Sequence, residues 1–180
     1  MNAGTRIGPH EDKASPYANR EDFDRIFVED FDELYQLSFL LTGDQKKAEK
    51  CLVSGIEDCV NGNPAFKEWA RSWAKRTIVE NAIRELKPRP NHSASPIAIV
   101  SPYRQQSSGP GEHFSVDAVL VLEDFERFVF VMSVLEHYSQ RECALLLGRS
   151  ISEVREARGR ALENLAAARN LDSFTPERSG

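Results

Sequence analysis

The sequence has few cysteines, and none lies in a pairing that would hold a metal or build a disulfide framework. Its three cysteines are Cys51, Cys59 and Cys143, an odd number without a CxxC or Cys/His motif. Structural zinc and redox centres need such spacings. We therefore expect three small hydrophobic side chains in a reducing compartment.

Signatures of catalysis and of cofactor binding are also missing. The four histidines, His10, His92, His113 and His137, are scattered, and none is flanked by a plausible set of metal ligands. There is no glycine-rich phosphate loop, no pair of carboxylates suited to catalysis and no nucleophile with a histidine nearby. We expect no metal, no cofactor, no small-molecule substrate and no enzymatic activity.

Long apolar runs are absent as well. Stretches such as Phe39–Leu41 and Val119–Leu122 fall far short of the roughly 18 residues that a membrane span needs. The first residues, MNAGTRIGPHEDK, lack the features of a secretory signal, so we expect a cytoplasmic protein without membrane contact. A net charge of −5 argues against nucleic-acid binding by bulk electrostatics, and any basic surface has to be local.

The composition that is present, 41% apolar and 28% charged, is that of a globular protein. Helical spacing of apolar residues predicts an all-α protein of two small domains joined by a Pro/Ser/Gly-rich linker. We place a disordered tail at 1–20, a helical bundle at 21–86, the linker at 87–114, a helix-turn-helix domain at 115–170 and a second tail at 171–180.

Three helices are predicted in the first domain. The first carries apolar residues at spacings of three and four from Phe23 to Leu41 and stops at Gly43, and Asp44 caps the second. The turn Asn61–Pro64 separates the second from a third, which runs from about Ala65 to Leu86. The apolar side of the third helix includes Phe66, Trp69, Trp73, Ile78 and Ala82. We expect at least one of the two tryptophans to belong to the core.

Two capping boxes, Ser139-x-x-Glu142 and Ser150-x-x-Glu153, predict two helix starts in the second domain. Gly148 between them suits the left-handed residue that closes a helix. The resulting helix, tight turn and helix are typical of a DNA-reading helix-turn-helix, whose second helix lies in the major groove. That second helix runs from about Ile151 to Ala168.

The faces of this second helix follow from its spacing. Its packing stripe is Val154, Ala157, Ala161 and Leu165, and the residues pointing elsewhere are Arg149, Ser152, Arg155, Arg158 and Gly159. Arginine can pair with guanine or clamp phosphate. The alternative is a helical hairpin that touches no DNA, with arginines that only solvate a face and an ordinary i,i+4 pair between Glu156 and Arg160.

Two stretches resemble bacterial sigma-70 family factors of the extracytoplasmic-function type. DELYQLSFLLTGDQKKAEKCLVSGIEDCV followed by FKEWARSWAKRTIVENAIREL resembles their second domain, and LEDFERFVFVMSVLEHYSQRECALLLGRSISEVREARGRALENL resembles their fourth. The resemblance implies a dissociable subunit that directs RNA polymerase core to promoter DNA. It leaves an anti-sigma protein as a further candidate partner.

Site residues carried over by position fall into two groups. At the minus-thirty-five element the recognition helix would present Arg149, Ser152, Arg155, Glu156 and Arg158. At the minus-ten element the loop 61–65 would capture a flipped base, and the strand-capture residues would be Asn61, Asn63, Lys67, Trp73, Lys75, Arg76 and Arg84. Such sites combine aromatic stacking faces with a positive groove. The alternatives are a tryptophan core and a solvated basic face.

The sequence departs from the family at the polymerase-binding helix and at the recognition helix. Where the family reads AED followed by L-V-Q-E-x-F, the aligned polymerase-binding positions are Glu49, Lys50, Val53 and Ser54. In the recognition helix, alanine stands at 157 where the family has arginine, Glu156 adds a negative charge, and Gly159 weakens the helix. Three hypotheses therefore stay open: an active sigma factor, a diverged sigma-like regulator that has lost or altered core binding, and an enzyme or small-molecule binder, which no motif supports.

Overall fold

The computed structural model describes residues 15–90 and 115–172, which are mostly helical. Helices α1 to α8 are Arg20–Glu29, Phe31–Thr42, Gln45–Asn61, Ala70–Leu86, Val116–Val121, Asp124–Phe130, Gln140–Leu147 and Ile151–Asp172. A 3₁₀ turn, Lys67–Trp69, leads into α4, and a π-helical turn, Val131–Leu135, continues α6. The all-α prediction is confirmed for this part of the chain. Most of the predicted linker (91–114) and the outer parts of both tails (1–14 and 173–180) lie outside the described residues.

The first predicted helix is wrong in one respect, because the structure divides it in two. Between α1 and α2, Asp30 has φ −103° and ψ 19°, outside the helical range. Its carboxylate accepts a hydrogen bond from Arg71 of α4. The break redirects α2, so that Phe31, which an unbroken helix would bury beside Phe27, is 52% exposed.

Helices α2, α3 and α4 form the centre of the N-terminal bundle. Gly43 has the predicted left-handed conformation, φ 65°, and the Asp44 side chain accepts the Lys47 N–H at 2.9 Å to start α3. Gly55 of α3 is buried against α4, where an added Cβ would lie 2.7 Å from Ile78 Cδ1. Glycine therefore permits the close approach of these two helices.

The third predicted helix begins later than the sequence indicated. Phe66 is extended, with φ −64° and ψ 144°, and regular α-helix starts only at Ala70. Trp69 is consequently 59% exposed, whereas Trp73, one turn on, packs against the core. One tryptophan thus belongs to the core, as predicted, but Phe66 and Trp69 do not join the buried side of α4.

Residues 15–19, predicted as part of the N-terminal tail, lie against the loop that precedes α4. Ala18 N–H donates to the Ala65 carbonyl at 2.8 Å, and Lys67 N–H donates to the Pro16 carbonyl at 2.9 Å. Asn19 then caps α1 by accepting the Asp22 N–H at 2.9 Å. We call residues 15–19 the N-terminal arm.

The helix-turn-helix is confirmed in the second group of helices. Glu142 N–H donates to Ser139 Oγ at 3.2 Å, and Ser139 N–H donates to Glu142 Oε2 at 2.8 Å. The second capping box, Ser150 with Glu153, repeats both bonds at 3.2 and 2.8 Å. Gly148 ends α7 with φ 63°. Local capping therefore defines both helices of the motif.

The two groups of helices share one apolar core rather than standing apart. Arg127 of α6, only 5% exposed, lies where they meet. Its Nε donates to the Leu41 carbonyl in the last turn of α2 at 3.3 Å, and its other nitrogens donate to the Leu122 carbonyl at 3.1 Å and to Asp124 at 2.6 Å. A guanidinium thus satisfies a carbonyl that the helix itself leaves free.

Among the described helices, none has the length and apolar composition needed to cross a membrane. The same residues contain no group of three or more side chains placed to bind a metal ion.

Candidate nucleic-acid interface

Helix α8 turns one face inward and the other to solvent. The inward face is the predicted packing stripe, at 0 to 2% exposure: Val154, Ala157, Ala161 and Leu165. Ser152, Arg155 and Glu156 are exposed near the start of the helix. The N-terminal part of a recognition helix is the part that reaches base edges. We call these three exposed side chains the reading face, because they lie where a DNA-reading helix would present them.

Arg149 and Arg158 lie at the edges of this reading face and are half-buried. The Nε atom of each is buried without a hydrogen-bond partner in the described part of the chain. Arg158 follows Arg155 by one helical turn. Both side chains are half-buried, whereas Arg155 is exposed to solvent in the first half of α8.

Two expectations drawn from single positions of α8 change with the structure. Ala157 is 0% exposed, so a side chain at this position points into the core and the missing arginine removes no group from the reading face. The alternative pair of Glu156 with Arg160 is wrong: Arg160 Nε donates instead to Glu126 of α6 at 2.7 Å, and Glu156 accepts from Ser152 Oγ at 3.1 Å. Arg160 thus pairs with Glu126 of α6 and not with Glu156, one turn earlier on its own helix.

Gly159 lies within α8, and a Cβ added there would meet nothing within 4 Å. We expect Gly159→Ala to raise the free energy of unfolding by about 1 kcal/mol, because alanine restricts the unfolded chain and fits the helix. Urea denaturation followed by circular dichroism measures this gain. An unchanged or lower stability would contradict the prediction, and weaker DNA binding by the stabilised variant would show that DNA approaches the backbone here.

The basic residues predicted to line a captured strand all have carboxylate partners. The pairs are Lys67 with Asp22 at 3.3 Å, Lys75 with Glu33 at 2.6 Å, Arg76 with Glu80 at 2.9 Å, and Arg84 with Asp58. Burial would raise the pKa of Asp58, but hydrogen bonds from Arg84 and Asn81 lower it. The predicted positive groove is therefore close to neutral.

One of these basic residues also contacts the C-terminal helices. Lys75 Nζ lies 3.2 Å from Glu136, in the turn after the π-helical segment. Burial, reinforced by the charge of Glu136, raises the pKa of Tyr138 to about 12, and the charge of Arg76 opposes that shift. The side chain of Lys75 therefore lies between the two groups of helices.

The predicted base-capture loop is exposed to solvent. Asn61 and Asn63 are both exposed, and Gly62 between them approaches α3 so closely that an added Cβ would be 2.4 Å from the Asp58 carbonyl oxygen. Trp73 does not join them. It is half-buried, and its Nε1 is buried without a hydrogen-bond partner among the described residues.

Sequence reasoning missed an exposed aromatic cluster beside this loop. Tyr17 of the N-terminal arm stacks on Phe66 at a centroid distance of 4.7 Å, and Phe66 meets Trp69 edge to face at 5.3 Å. Tyr17 is a lone large aromatic in a polar stretch, and that contrast is the sequence signal that could have indicated it. The pairing of the arm with the loop is long-range and has no local signature.

The predicted polymerase-binding residues lie along α3. Lys50 Nζ donates to Glu85 of α4 at 2.6 Å, and Glu49 accepts from Gln45 at 3.0 Å. Val53 is 59% exposed, and half-buried Ser54 lines a shallow polar groove of about 200 Å³ with Lys50. Lysine at position 50 is thus tied to a partner on its own domain.

Comparison with known proteins matches one of the two groups of helices. Residues 117–165 match the family described as Sigma-70, region 4. This range extends from α5 into α8 and includes α7, the turn at Gly148 and the first fifteen residues of α8. No curated protein matches the chain. Residues 117–165 therefore form a sigma-70 region 4 domain, and this domain indicates a DNA-binding, sigma-factor-like role in transcription initiation.

Proposed function

We propose that this chain recognises promoter DNA through the reading face of α8 and associates with RNA polymerase core. The observation that carries the proposal is the exposure of Ser152, Arg155 and Glu156 on a capped helix whose other face is buried. Arginine pairs bidentately with guanine, and glutamate accepts a hydrogen bond from cytosine. The reading face therefore carries groups for specific bases, with little charge for non-specific binding.

The contribution of Arg155 is directly testable. We expect Arg155→Ala to weaken duplex promoter binding by about 1–3 kcal/mol if the guanidinium contacts a base, because a bidentate contact is lost. Titration of fluorescent duplexes that differ at single base pairs measures the loss and the position at which specificity relaxes.

A matched control for this experiment is Arg20→Ala, which removes a 75% exposed arginine from the N-terminal bundle and should leave duplex binding unchanged. A loss that is equal for all sequences, with a shallower salt dependence, would instead assign Arg155 to phosphate. Unchanged binding by Arg155→Ala would contradict its place in the interface.

Association with core polymerase is the finer part of the proposal, and the second candidate function is a sigma-like regulator without it. The observation that favours this second candidate is the Lys50–Glu85 pair, which puts a cation where the family has an acid. Like charges facing each other across an interface disfavour binding. A polymerase surface that is complementary to an acidic helix would instead face Lys50 and the apolar side chain of Val53.

Restoring the family residues at Lys50, Val53 and Ser54 separates these two functions. If the chain is a diverged regulator, the triple variant Lys50→Asp, Val53→Gln, Ser54→Glu should retain core polymerase that the native chain does not. Pull-down of core polymerase at low salt, followed by promoter-dependent run-off transcription, measures the gain. Because Lys50→Asp places a carboxylate beside Glu85, a fourth change, Glu85→Gln, removes the repulsion within the domain.

The control for charge alone is Lys46→Asp, at another exposed position of α3. Core binding and run-off transcription by the native chain would establish the active sigma factor and reject the regulator. If the native chain does not bind core polymerase, the active sigma factor is rejected. If the restored variant does not bind it either, loss of binding through Lys50, Val53 and Ser54 is rejected as well.

A further inference from the structure

Glu126 of α6 is a buried acidic residue that holds two side chains of α8. It is only 7% exposed. Its Oε1 accepts a hydrogen bond from Arg160 Nε at 2.7 Å, and its Oε2 accepts one from Asn164 Nδ2 at 3.1 Å. Arg160 and Asn164 are four residues apart, which places them on successive turns of the helix. Both oxygens of one carboxylate thus bind the same edge of α8.

The apolar packing of α8 leaves its rotation about the helix axis weakly defined. Two of the four residues in the packing stripe are alanines, Ala157 and Ala161. Such small side chains let helices approach closely but offer little shape that interlocks with a neighbour. A rotation of about 20° would move a side-chain end about 5–6 Å from the axis by about 2 Å, and a hydrogen bond to a base edge does not tolerate that shift. A directional contact can fix the angle that the stripe leaves open.

The contacts of Glu126 lie on a helix edge that also carries part of the reading face. Glu156, Arg160 and Asn164 follow one another at four-residue spacing and therefore share this edge. Arg160 and Asn164 are exposed, so water can replace their bonds to the carboxylate and the pairing adds little net stability. The best-attested role of a buried polar pair is to fix the register of packed helices.

The residue next to Glu126 ties α6 to the other group of helices. Arg127 donates to the Leu41 carbonyl of α2. Two consecutive buried charged residues of α6 therefore contact α8 and the N-terminal bundle, respectively. The orientation of the reading face relative to the N-terminal bundle is thus set through α6.

We propose that Glu126 is a positioning residue for DNA recognition, which sets the rotation of α8 and so determines which bases Arg155 and its neighbours on the reading face contact. The inference rests on the proposed recognition of duplex DNA by α8. It assigns a role in sequence specificity to a residue of a different helix. A chain that lacks this carboxylate should still fold and bind DNA, but it should distinguish DNA sequences less well.

The test measures base preference without requiring the promoter sequence. The full chain is mixed with a pool of duplexes of randomised sequence, and the bound duplexes are recovered and sequenced. Fluorescence anisotropy then gives the ratio of affinities for the preferred duplex and its single-base-pair variants. Glu126→Leu should lower this ratio about five- to hundredfold at the base pair read by Arg155, the range for one specific base contact. The midpoint of urea unfolding should stay the same or rise, because an apolar side chain of similar volume replaces a buried ion pair.

Two variants control for hydrogen-bond geometry and for charge. Glu126→Gln keeps an oxygen for Arg160 and an amide for Asn164, whose own amide group can turn to accept it, so this variant should retain the native ratio. Glu163→Leu removes a carboxylate from an exposed position of α8. It makes the same change of charge and side chain, and it should leave the ratio unchanged although it raises non-specific affinity at low salt.

The possible outcomes separate this inference from the proposal on which it rests. If the native chain shows no base preference in the pool, reading by α8 is rejected and the inference with it. If the native chain shows a preference that Glu126→Leu retains, only the positioning role of Glu126 is rejected. A loss of preference that accompanies a lower midpoint of unfolding, and that Glu126→Gln shares, would also overturn the positioning role in favour of general destabilisation.

Discussion

Replacing Arg127 with methionine is expected to lower the free energy of unfolding by about 2–4 kcal/mol. Methionine keeps much of the apolar stem but removes the donors to the Leu41 and Leu122 carbonyls, which lie where the two groups of helices meet. Each buried carbonyl that loses its partner costs about 1–3 kcal/mol. Losing the hydrogen bond to Asp124 costs less free energy, because this side chain is 54% exposed and can bond water once the arginine is removed.

Urea denaturation monitored by circular dichroism measures this loss. Arg25→Met is the matched control, because Arg25 pairs with Asp22 at the same i,i+3 spacing while being 64% exposed; its effect should stay within about 0.5 kcal/mol. Equal effects of the two substitutions would contradict the role of Arg127 as a buried link. A second unfolding transition in Arg127→Met would show that the link also makes the two groups unfold together.

Introducing the family's arginine at position 157 is expected to destabilise the helix-turn-helix by about 3 kcal/mol or more. Ala157 is fully buried in the face that α8 presents to the core, so an arginine must either displace its neighbours or bury a charge without a partner. The same substitution would strengthen DNA binding if position 157 faced the duplex. If position 157 is buried, Ala157→Arg lowers stability. If it faces the duplex, Ala157→Arg raises DNA affinity.

Glu156→Arg provides the control on the adjacent, exposed position. It should change the free energy of unfolding by no more than about 0.5 kcal/mol and should raise non-specific duplex affinity at low salt, because it replaces a charge that phosphate repels. Thermal or urea unfolding of both variants, with duplex titration of the folded fraction, measures the contrast. A stable Ala157→Arg variant with tighter DNA binding would reverse the assignment of faces on α8.

The helix-turn-helix was largely predictable because its determinants are local. The capping boxes Ser139/Glu142 and Ser150/Glu153 act within a single helical turn, and Gly148 acts through its own backbone angle. The buried stripe of α8 follows from helical periodicity alone. The same locality explains the failure at Asp30, since spacings of three and four continue through a one-residue break and do not register a change of direction.

The candidate minus-ten site was less predictable, because its electrostatics depend on residues far away in the chain. Lys75 forms ion pairs with Glu33 and Glu136, and Arg84 forms one with Asp58. None of these carboxylates is close in sequence to its partner. A list of basic residues on one helix therefore overstated the positive charge of the surface. Salt bridges of this kind can be recognised only when the packing of α2, α3 and α4 is known.

The sequence by itself thus determined the helix-turn-helix, through helix caps, a left-handed glycine and a stripe of apolar residues. Tertiary structure decided which side chains of this motif are buried or paired and which are exposed. It buried Ala157, bound Arg160 to Glu126, joined the two groups of helices through Arg127, and brought Tyr17 to Phe66. Each of these depends on contacts between distant parts of the chain, whose geometry local propensity does not encode.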